Sequence, residues 1–262
     1  MSIANAAHCS MIGGGGAKPW VNPYTAGSVI NMWDAEWNAG GGIHSDDLTN
    51  LMDCVGDSNA TLSQSSSAAP TYSNKGFIFG GASAYNFTPS SALKAAHSAK
   101  SLTIEIVCKV TGYASTNRGL LSLSPVTNNE SSFNGNPYVR IYADGSYPQD
   151  TFYISNTSSG QSVGGKFFRN GLSLNEIYTL GFVISSSYVA IYFNGVLGAN
   201  NRFTSISSTS PTLGCIGAKS GTSGLFQTCD NATIYNIRIH NKQCTAAELA
   251  ALYAVDASRF AV

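Results

Sequence analysis

The segment at residues 177–198, IYTLGFVISSSYVAIYFNGVLG, limits the fold of this chain more than any other stretch. Apolar residues recur with a period of two through Ile177–Ile184 and again through Tyr188–Phe193. Asn194 and Gly195 follow, and this pair suits a type I′ turn because both residues tolerate a positive φ. A period of two on both sides of tight turns predicts antiparallel strands rather than helices.

Short runs of the same kind occur along the rest of the chain. They predict strands at residues 29–37, 76–79, 102–110, 120–123, 138–142, 151–154, 166–168 and 233–240. Thr245 and Glu248 form a capping-box pattern before an alanine- and leucine-rich run, which predicts a helix over residues 245–253, and residues 90–99 favour a helical turn. Many short strands separated by turns predict a two-sheet antiparallel sandwich, and 262 residues suit one such domain.

The composition excludes several classes of function. Charged residues make up 11% of the chain, against about a quarter in average proteins, and the formal net charge is +0. Such a surface lacks the basic patch that nucleic acids and anionic membranes require. No apolar run is long enough for a membrane-spanning helix, and no secretory signal is recognisable at the N-terminus. We therefore expect neutral partners, glycans among them, and a location outside cells or on a virus particle.

Several runs carry a resemblance to a known family. Residues 177–198 resemble the central meander of laminin-G-like, concanavalin A-like jelly-roll domains. The other runs that resemble this family are residues 33–62, 101–110, 213–217, 234–241 and 245–249. The chain departs from the family at His240, where tyrosine is usual, and at Cys244, where leucine is usual.

The resemblance implies an all-β, two-sheet antiparallel jelly-roll sandwich over residues 30–262, with one short C-terminal helix. Residues 1–29 would form an extended, glycine-rich arm before it. The same fold hosts lectins, hydrolases and structural modules, so the fold does not fix the function. We expect a non-catalytic structural or adhesion protein of a virus particle, by analogy a bacteriophage, that recognises cell-surface glycans. A bacterial carbohydrate-binding module and a divergent glycoside hydrolase are the alternatives.

Sugar sites combine an aromatic plane with Asn, Asp or Arg side chains that hydrogen-bond hydroxyl groups. Two clusters have this composition: Trp33, Asp34, Trp37 and Asn38 in the first, and Tyr138, Arg140 and Tyr142 in the second. We predict that they bind the ligand. The alternatives are core tryptophans with local turn bonding in the first cluster and an ordinary exposed strand face in the second.

The acidic residues give little sign of catalysis or of a cofactor. Retaining glycosidases need two carboxyl groups about 5–5.5 Å apart, whereas Glu105 has no second acid at strand spacing. We predict no hydrolase activity and a solvent-facing or sheet-edge Glu105. Asp46 and Asp47 lie in the densest acidic region, next to a glycine-rich turn, where they either bind calcium through oxygen ligands or serve as turn residues. No other cofactor is predicted.

The N-terminal arm and the cysteines complete the predictions. Met11, Trp20 and Tyr24 are apolar anchors between glycines and prolines, so we predict that the arm docks onto another virion protein or a second copy of this chain; the alternative is a tail without a role. Six scattered cysteines without a C-x-x-C pair argue against zinc and predict mostly free thiols. Cys215 and Cys229 could pair if the strands that carry them are neighbours.

Overall fold

The computed structural model describes residues 22–24, 27–40, 50–64, 70–73, 75–80, 83–112, 118–124, 138–142, 151–155, 157–158, 161–162, 165–166, 174–202, 210–221, 224–226 and 229–260. The described part of the chain is an all-β sandwich of two large antiparallel sheets with a helix at its C-terminal end.

Twenty strands occur in the described residues. In chain order they are β1 (Val29–Asp34), β2 (Asn50–Leu51), β3 (Ala60–Gln64), β4 (Thr71–Ser73), β5 (Gly76–Gly80), β6 (Ser83–Phe87), β7 (Leu102–Val110), β8 (Arg118–Ser124), β9 (Tyr138–Tyr142), β10 (Thr151–Ser155), β11 (Thr157–Ser158), β12 (Gln161–Ser162), β13 (Gly165–Lys166), β14 (Ile177–Ile184), β15 (Tyr188–Phe193), β16 (Val196–Arg202), β17 (Leu213–Ile216), β18 (Lys219–Gly221), β19 (Gly224–Phe226) and β20 (Asp230–His240). The helices are α1 (Ser91–Ser98) and α2 (Ala246–Phe260), and a π-helical turn spans Glu36–Gly40.

The strands form two eight-stranded sheets and two small hairpins. The first sheet has the order β16-β15-β14-β7-β20-β5-β4. Strand β1 also pairs with β20, along residues 236–240, whereas β5 pairs with residues 230–234 of the same strand. The second has the order β13-β10-β9-β8-β17-β6-β3-β2, and β11-β12 and β18-β19 are separate ribbons. The main core lies between the large sheets and takes side chains from both, such as Ile104 and Phe182 from the first and Leu121 and Phe87 from the second.

The prediction from residues 177–198 is confirmed. β14 and β15 pair antiparallel, and β15 pairs in turn with β16 through the turn at Asn194 and Gly195, whose φ values are 47° and 74°. Asn194 is further fixed because its Oδ1 accepts a hydrogen bond from the Thr179 amide over 2.9 Å. The turn residues therefore set the register of this meander, as the Asn-Gly pair predicts.

Helix α2 begins where the capping box predicts and runs further than expected. Glu248 N donates to Thr245 Oγ1 over 3.3 Å, and Thr245 N donates to Glu248 Oε2 over 2.9 Å. The helix extends to Phe260, seven residues beyond the predicted end at Tyr253, and it packs against the outer face of the first sheet through Leu249. No described helix has the length and apolar character needed to cross a bilayer.

Two smaller predictions, on the exposure of Glu105 and on the pairing of Cys215 with Cys229, are corrected by the structure. Glu105, predicted to face solvent or to lie at a sheet edge, is 1% exposed, because it pairs with Arg238 and His240 on the face of the first sheet against which α2 packs. Cys215 and Cys229 do not sit on paired strands: β17 pairs with β6 and β8, while the Cys229 amide donates to the Gly217 carbonyl. Both cysteines are buried free thiols.

Candidate functional site

A cleft of about 710 Å³ opens at one end of the sandwich, between β1 and the start of α1. We call it the β1–α1 cleft. It is lined by Gly27, Val29 and Ile30, by Trp37, by residues 52–57 and Asn59, and by Ser90, Ser91 and Ala92. Apolar side chains from β1 and the 52–57 segment therefore meet polar side chains from the same loop and from the helix start.

The loop wall of the cleft is built around the Asp53 carboxylate. Its Oδ1 accepts hydrogen bonds from the amides of Met32 and Gly56, at 2.8 and 2.9 Å. Its Oδ2 accepts from Asn31 Nδ2 at 2.6 Å and from the Ser58 amide at 3.1 Å. A carboxylate that accepts several N–H groups in this way holds a loop firmly against its neighbouring strand. Asp53 therefore shapes the cleft, and its lone pairs are already engaged.

Gly56 packs so closely that only glycine fits there. A Cβ atom at this position would lie 2.3 Å from the Ile30 carbonyl oxygen and 2.6 Å from Asp53 Oδ2. Both contacts are far inside van der Waals distance, and the first is with backbone. The close approach of the loop to β1 thus depends on the absence of a side chain at Gly56.

Asn38 and Asp34 hydrogen-bond the loop wall and the π-helical turn, both of which carry lining residues of the cleft. Asn38 Oδ1 accepts from the Met52 amide at 2.7 Å, and its Nδ2 donates to the Asp34 carbonyl at 2.9 Å. Asp34 Oδ1 accepts from the Trp37 amide at 3.0 Å and thereby starts the π-helical turn. These bonds connect β1, the turn and the loop wall into one support.

Helix α1 contributes its N-terminal end. Ser90 Oγ accepts from the Leu93 amide at 3.1 Å as the N-cap, and the Ser90 amide donates to Ser58 Oγ at 3.0 Å. Ser91 and Ala92, the first two helical residues, are exposed at the cleft. With Asp57 and Asn59, which are also exposed, they present hydrogen-bonding groups to whatever enters.

Of the first predicted sugar-binding cluster, only Trp37 reaches the β1–α1 cleft. Trp33 is 3% exposed, packs on Phe87 at 4.5 Å between ring centroids, and donates from Nε1 to the Ser58 carbonyl. Trp37 lines the cleft but is only 5% exposed, so little of its ring is available to a ligand. Asp34 and Asn38 are buried in the contacts described above. These four residues support the walls of the cleft, and their role in direct binding stays a prediction.

The second predicted cluster lies elsewhere. Tyr138, Arg140 and Tyr142 belong to β9, which pairs with β8 on one side and β10 on the other, with Arg140 opposite Tyr153. The two predicted clusters are therefore on different parts of the sandwich and do not form one site. Among the other predicted residues, Met11, Trp20, Asp46 and Asp47 lie outside the described residues. The described residues contain no group of three or more metal-ligating side chains.

Tyr24, predicted to anchor a partner, is instead buried within the chain. Its ring is 4% exposed, and the Arg238 guanidinium lies over it at 4.0 Å from the ring centroid. Burial raises the pKa of the Tyr24 hydroxyl, which Arg238 partly offsets. The Tyr24 side chain therefore contacts side chains of its own chain.

A buried charge network lies beneath α2, and none of its four members, Glu105, Arg238, His240 and Asp256, lines the cleft. Arg238 forms a bidentate ion pair with Asp256, NH1 to Oδ1 and NH2 to Oδ2 both at 2.7 Å. Its Nε donates to Glu105 Oε2 at 3.1 Å, and His240 Nε2 lies 2.7 Å from the same oxygen. Because a carboxylate can only accept, Nε2 of His240 carries the proton of that bond.

The network explains the ionisation of its members. Burial by itself would raise the pKa of Glu105, but Arg238 and His240 more than offset it and hold the pKa below the usual value. Burial by itself would lower the pKa of Arg238, but Asp256 and Glu105 outweigh this effect and hold the pKa above its usual value. A carboxylate that is engaged twice and covered by a helix cannot reach a substrate, so Glu105 has a structural role.

Comparison with known proteins gives the fold but no family. No family model matches the sequence, and the search of curated proteins finds no match. Among solved structures, the receptor-binding domain of botulinum neurotoxin C/D mosaic serotype is 11% identical, with a TM-score of 0.61 over 87% of this chain. The chain spans about half of that domain, 51% of its length.

Two further structures show the same sandwich. Domain 4 of AbnA, a GH43 extracellular arabinanase from Geobacillus stearothermophilus solved with arabinotriose, is 12% identical, with a TM-score of 0.60 over 86% of this chain and 98% of that domain. Trypanosoma rangeli sialidase in complex with sialic acid is 12% identical, with a TM-score of 0.61 over 96% of this chain and 36% of the enzyme. At these identities the similarity establishes the sandwich fold alone.

Polar residues of the cleft come from two runs that are far apart in the sequence. Asp57 and Asn59 sit in a glycine- and serine-containing loop, and Ser90–Ser91 precede an alanine-rich run, which is the pattern of a helix start. The two runs are about 30 residues apart and meet only because β3 and β6 pair. Sequence patterns alone do not reveal that proximity.

Proposed function

We propose that this sandwich is a non-catalytic module that recognises carbohydrate in the β1–α1 cleft. The observation that carries the proposal is the composition of the cleft: half-buried apolar side chains, Ile30, Met52 and Val55, next to the exposed polar residues Asp57, Asn59 and Ser91. A pyranose ring has an apolar face and a rim of hydroxyl groups. A site with apolar contact on one side and a few hydrogen-bonding groups on the other matches that shape.

The similar structures support this choice. Botulinum neurotoxin type C interacts with gangliosides for cell entry, the AbnA domain was solved with arabinotriose and the sialidase with sialic acid. These ligands belong to those proteins, and they make carbohydrate the first class to test. The absence of catalysis is part of the proposal, because the candidate carboxylate, Glu105, is bound to Arg238 and His240 under α2.

The biological setting is also a proposal. A structural or adhesion protein on a virus particle rests on the low charge and the glycine-rich N-terminal residues of the sequence alone. A bacterial carbohydrate-binding module is the second candidate, and one observation favours it: the chain superposes on 98% of the AbnA domain, a domain of an extracellular enzyme. Both settings place the protein outside cells and give it the same task.

A glycan array tests the proposal, with two tryptophan variants of α1 as a matched pair. Ala92 is exposed and lines the cleft, whereas Ala95 is exposed on the same helix but does not line it. We expect Ala92→Trp to abolish binding because the indole fills the cleft, and Ala95→Trp to bind as the wild type does. Binding to no glycan, or equal binding by all three proteins, would refute the assignment.

A further inference from the structure

Among the described residues that line the β1–α1 cleft, the charged side chains have a single sign. Asp53 and Asp57 line it, while no lysine, arginine or histidine occurs among the described lining residues. The donors around Asp53 satisfy its hydrogen bonds without cancelling its negative charge, since they are amide groups. The partial positive charge at the start of α1, about half an elementary charge at most, does not balance two carboxylates.

Anionic sugars require the opposite arrangement. A sialic acid or uronic acid carboxylate is normally held by arginine or lysine, or by several free N–H donors. In the cleft, a ligand carboxylate would approach the exposed Asp57 without a paired cation among the described lining residues. Like charges at contact distance in a partly desolvated cleft repel each other by an amount sufficient to select against the ligand.

Neutral sugars suit the same groups. Carboxylate oxygens accept hydrogen bonds from neighbouring hydroxyl groups, and the Asp57 carboxylate is exposed for that purpose. Asn59 uses Oδ1 to accept from the Asp53 amide at 2.9 Å, and its Nδ2 has no partner among the described residues and remains a donor. Ser91 adds a hydroxyl that can donate or accept.

We infer that the β1–α1 cleft recognises uncharged sugars and discriminates against sialylated or otherwise anionic glycans. The inference rests on the proposed function and adds to it the class of ligand. It also separates this chain from the sialidase solved with sialic acid and from the neurotoxin that interacts with gangliosides, although the fold is shared. Asp57 is the residue that sets the discrimination, since it carries the exposed charge.

The test uses two oligosaccharides that differ only by a terminal sialic acid, with affinities measured by titration calorimetry on the full chain. Wild type should bind the neutral one about tenfold more tightly at low salt, and high salt should narrow the difference because the repulsion is screened. Asp57→Lys should remove or reverse the preference. Asp57→Asn should narrow it while leaving hydrogen bonding to the neutral sugar in place.

The results distinguish failure of the preference for neutral sugars from failure of carbohydrate binding itself. If wild type prefers the sialylated partner and Ala92→Trp abolishes that binding, the cleft binds sugar but the inference is overturned. If discrimination is the same in Asp57→Lys as in wild type, Asp57 does not set it and the inference is again overturned. If neither oligosaccharide nor any array glycan binds, the proposed function fails and the inference fails with it.

Discussion

Tyr24 and Asp256 are 232 positions apart in sequence and are joined by a hydrogen bond of 2.7 Å, from the tyrosine hydroxyl to Oδ1 of the aspartate. Arg259 NH1 donates to the same hydroxyl at 2.8 Å and to Asp34 Oδ2 at 2.7 Å. The described N-terminal residues, β1 and α2 are therefore held by one set of polar contacts. Because Gly27 and Val29 line the cleft, the same contacts position one of its walls.

The first prediction concerns Asp256, whose side chain is fully buried and compensates the charge of Arg238. Asp256→Asn should lower the free energy of unfolding by about 3–5 kcal/mol, because a buried guanidinium loses its main counter-charge. Urea denaturation at neutral pH measures it. Asp57→Asn is the matched control: the same chemical change at an exposed residue should cost less than about 0.5 kcal/mol. Equal effects would contradict the structural role of the network.

The second prediction is a pH dependence of stability that depends on Glu105. Its pKa is lower in the folded chain than the ordinary value of 4.5, so its contribution is fully present above that value and is lost as pH falls through the folded pKa. Unfolding free energy should therefore decrease as pH falls below about 4.5. Glu105→Gln should be less stable at neutral pH and should show a shallower acid dependence. A variant with an unchanged slope would exclude Glu105 as a source of it.

The meander and the network illustrate what the sequence could and could not predict. Asn194–Gly195 and its flanking strands were predictable because a tight turn and a period of two are local properties. The environment of Glu105 was not, since its partner Arg238 lies 133 positions away and becomes its neighbour only when β7 and β20 pair. Alternation along β7 identified the core face, but burial of the opposite face required knowledge of where α2 docks.

The candidate site shows the same division. Trp37 was selected for its aromatic ring and does line the cleft, although only 5% of its surface is exposed. Asp57 and Ser91 were not selected, because an acidic loop residue and a helix-start serine are common and gain meaning only when they meet. Trp33 has the environment of the alternative, a core tryptophan, because Phe87 from the other sheet packs on its ring; its role in binding stays a prediction.

The third prediction concerns thiol reactivity. Cys108, Cys215, Cys229 and Cys244 are buried, and burial raises the pKa of the Cys108 and Cys215 thiols and that of Cys244 to about 11. Among the five described cysteines only Cys54 is half-buried, at the cleft, so it should react before the other four with a thiol reagent at pH 8. Cys54→Ser should remove that phase. Under denaturing conditions at least four of the six cysteines should titrate as free thiols; two or fewer would mean that disulfides are present.

The fourth prediction separates two parts of the N-terminal region by deletion. Removal of residues 1–21 leaves Tyr24 and its described contacts in place, so it should cost less unfolding free energy than the longer deletion, while any assembly through Met11 or Trp20 is lost. Removal of residues 1–29 also deletes Tyr24 and Val29, both buried, and should destabilise the chain by several kcal/mol. Size-exclusion chromatography and urea denaturation measure the two effects. Unchanged assembly after removal of residues 1–21 would show that these residues have no docking role.

Amide chemical-shift mapping with a neutral oligosaccharide selected from the array tests the central claim most directly. The account predicts perturbed resonances at Gly27, Gly56, Asp57, Asn59 and Ser91, which line the β1–α1 cleft, and little change along β9. Perturbations confined to Tyr138–Tyr142, or spread over the surface without a maximum at the cleft, would contradict the assignment of the site.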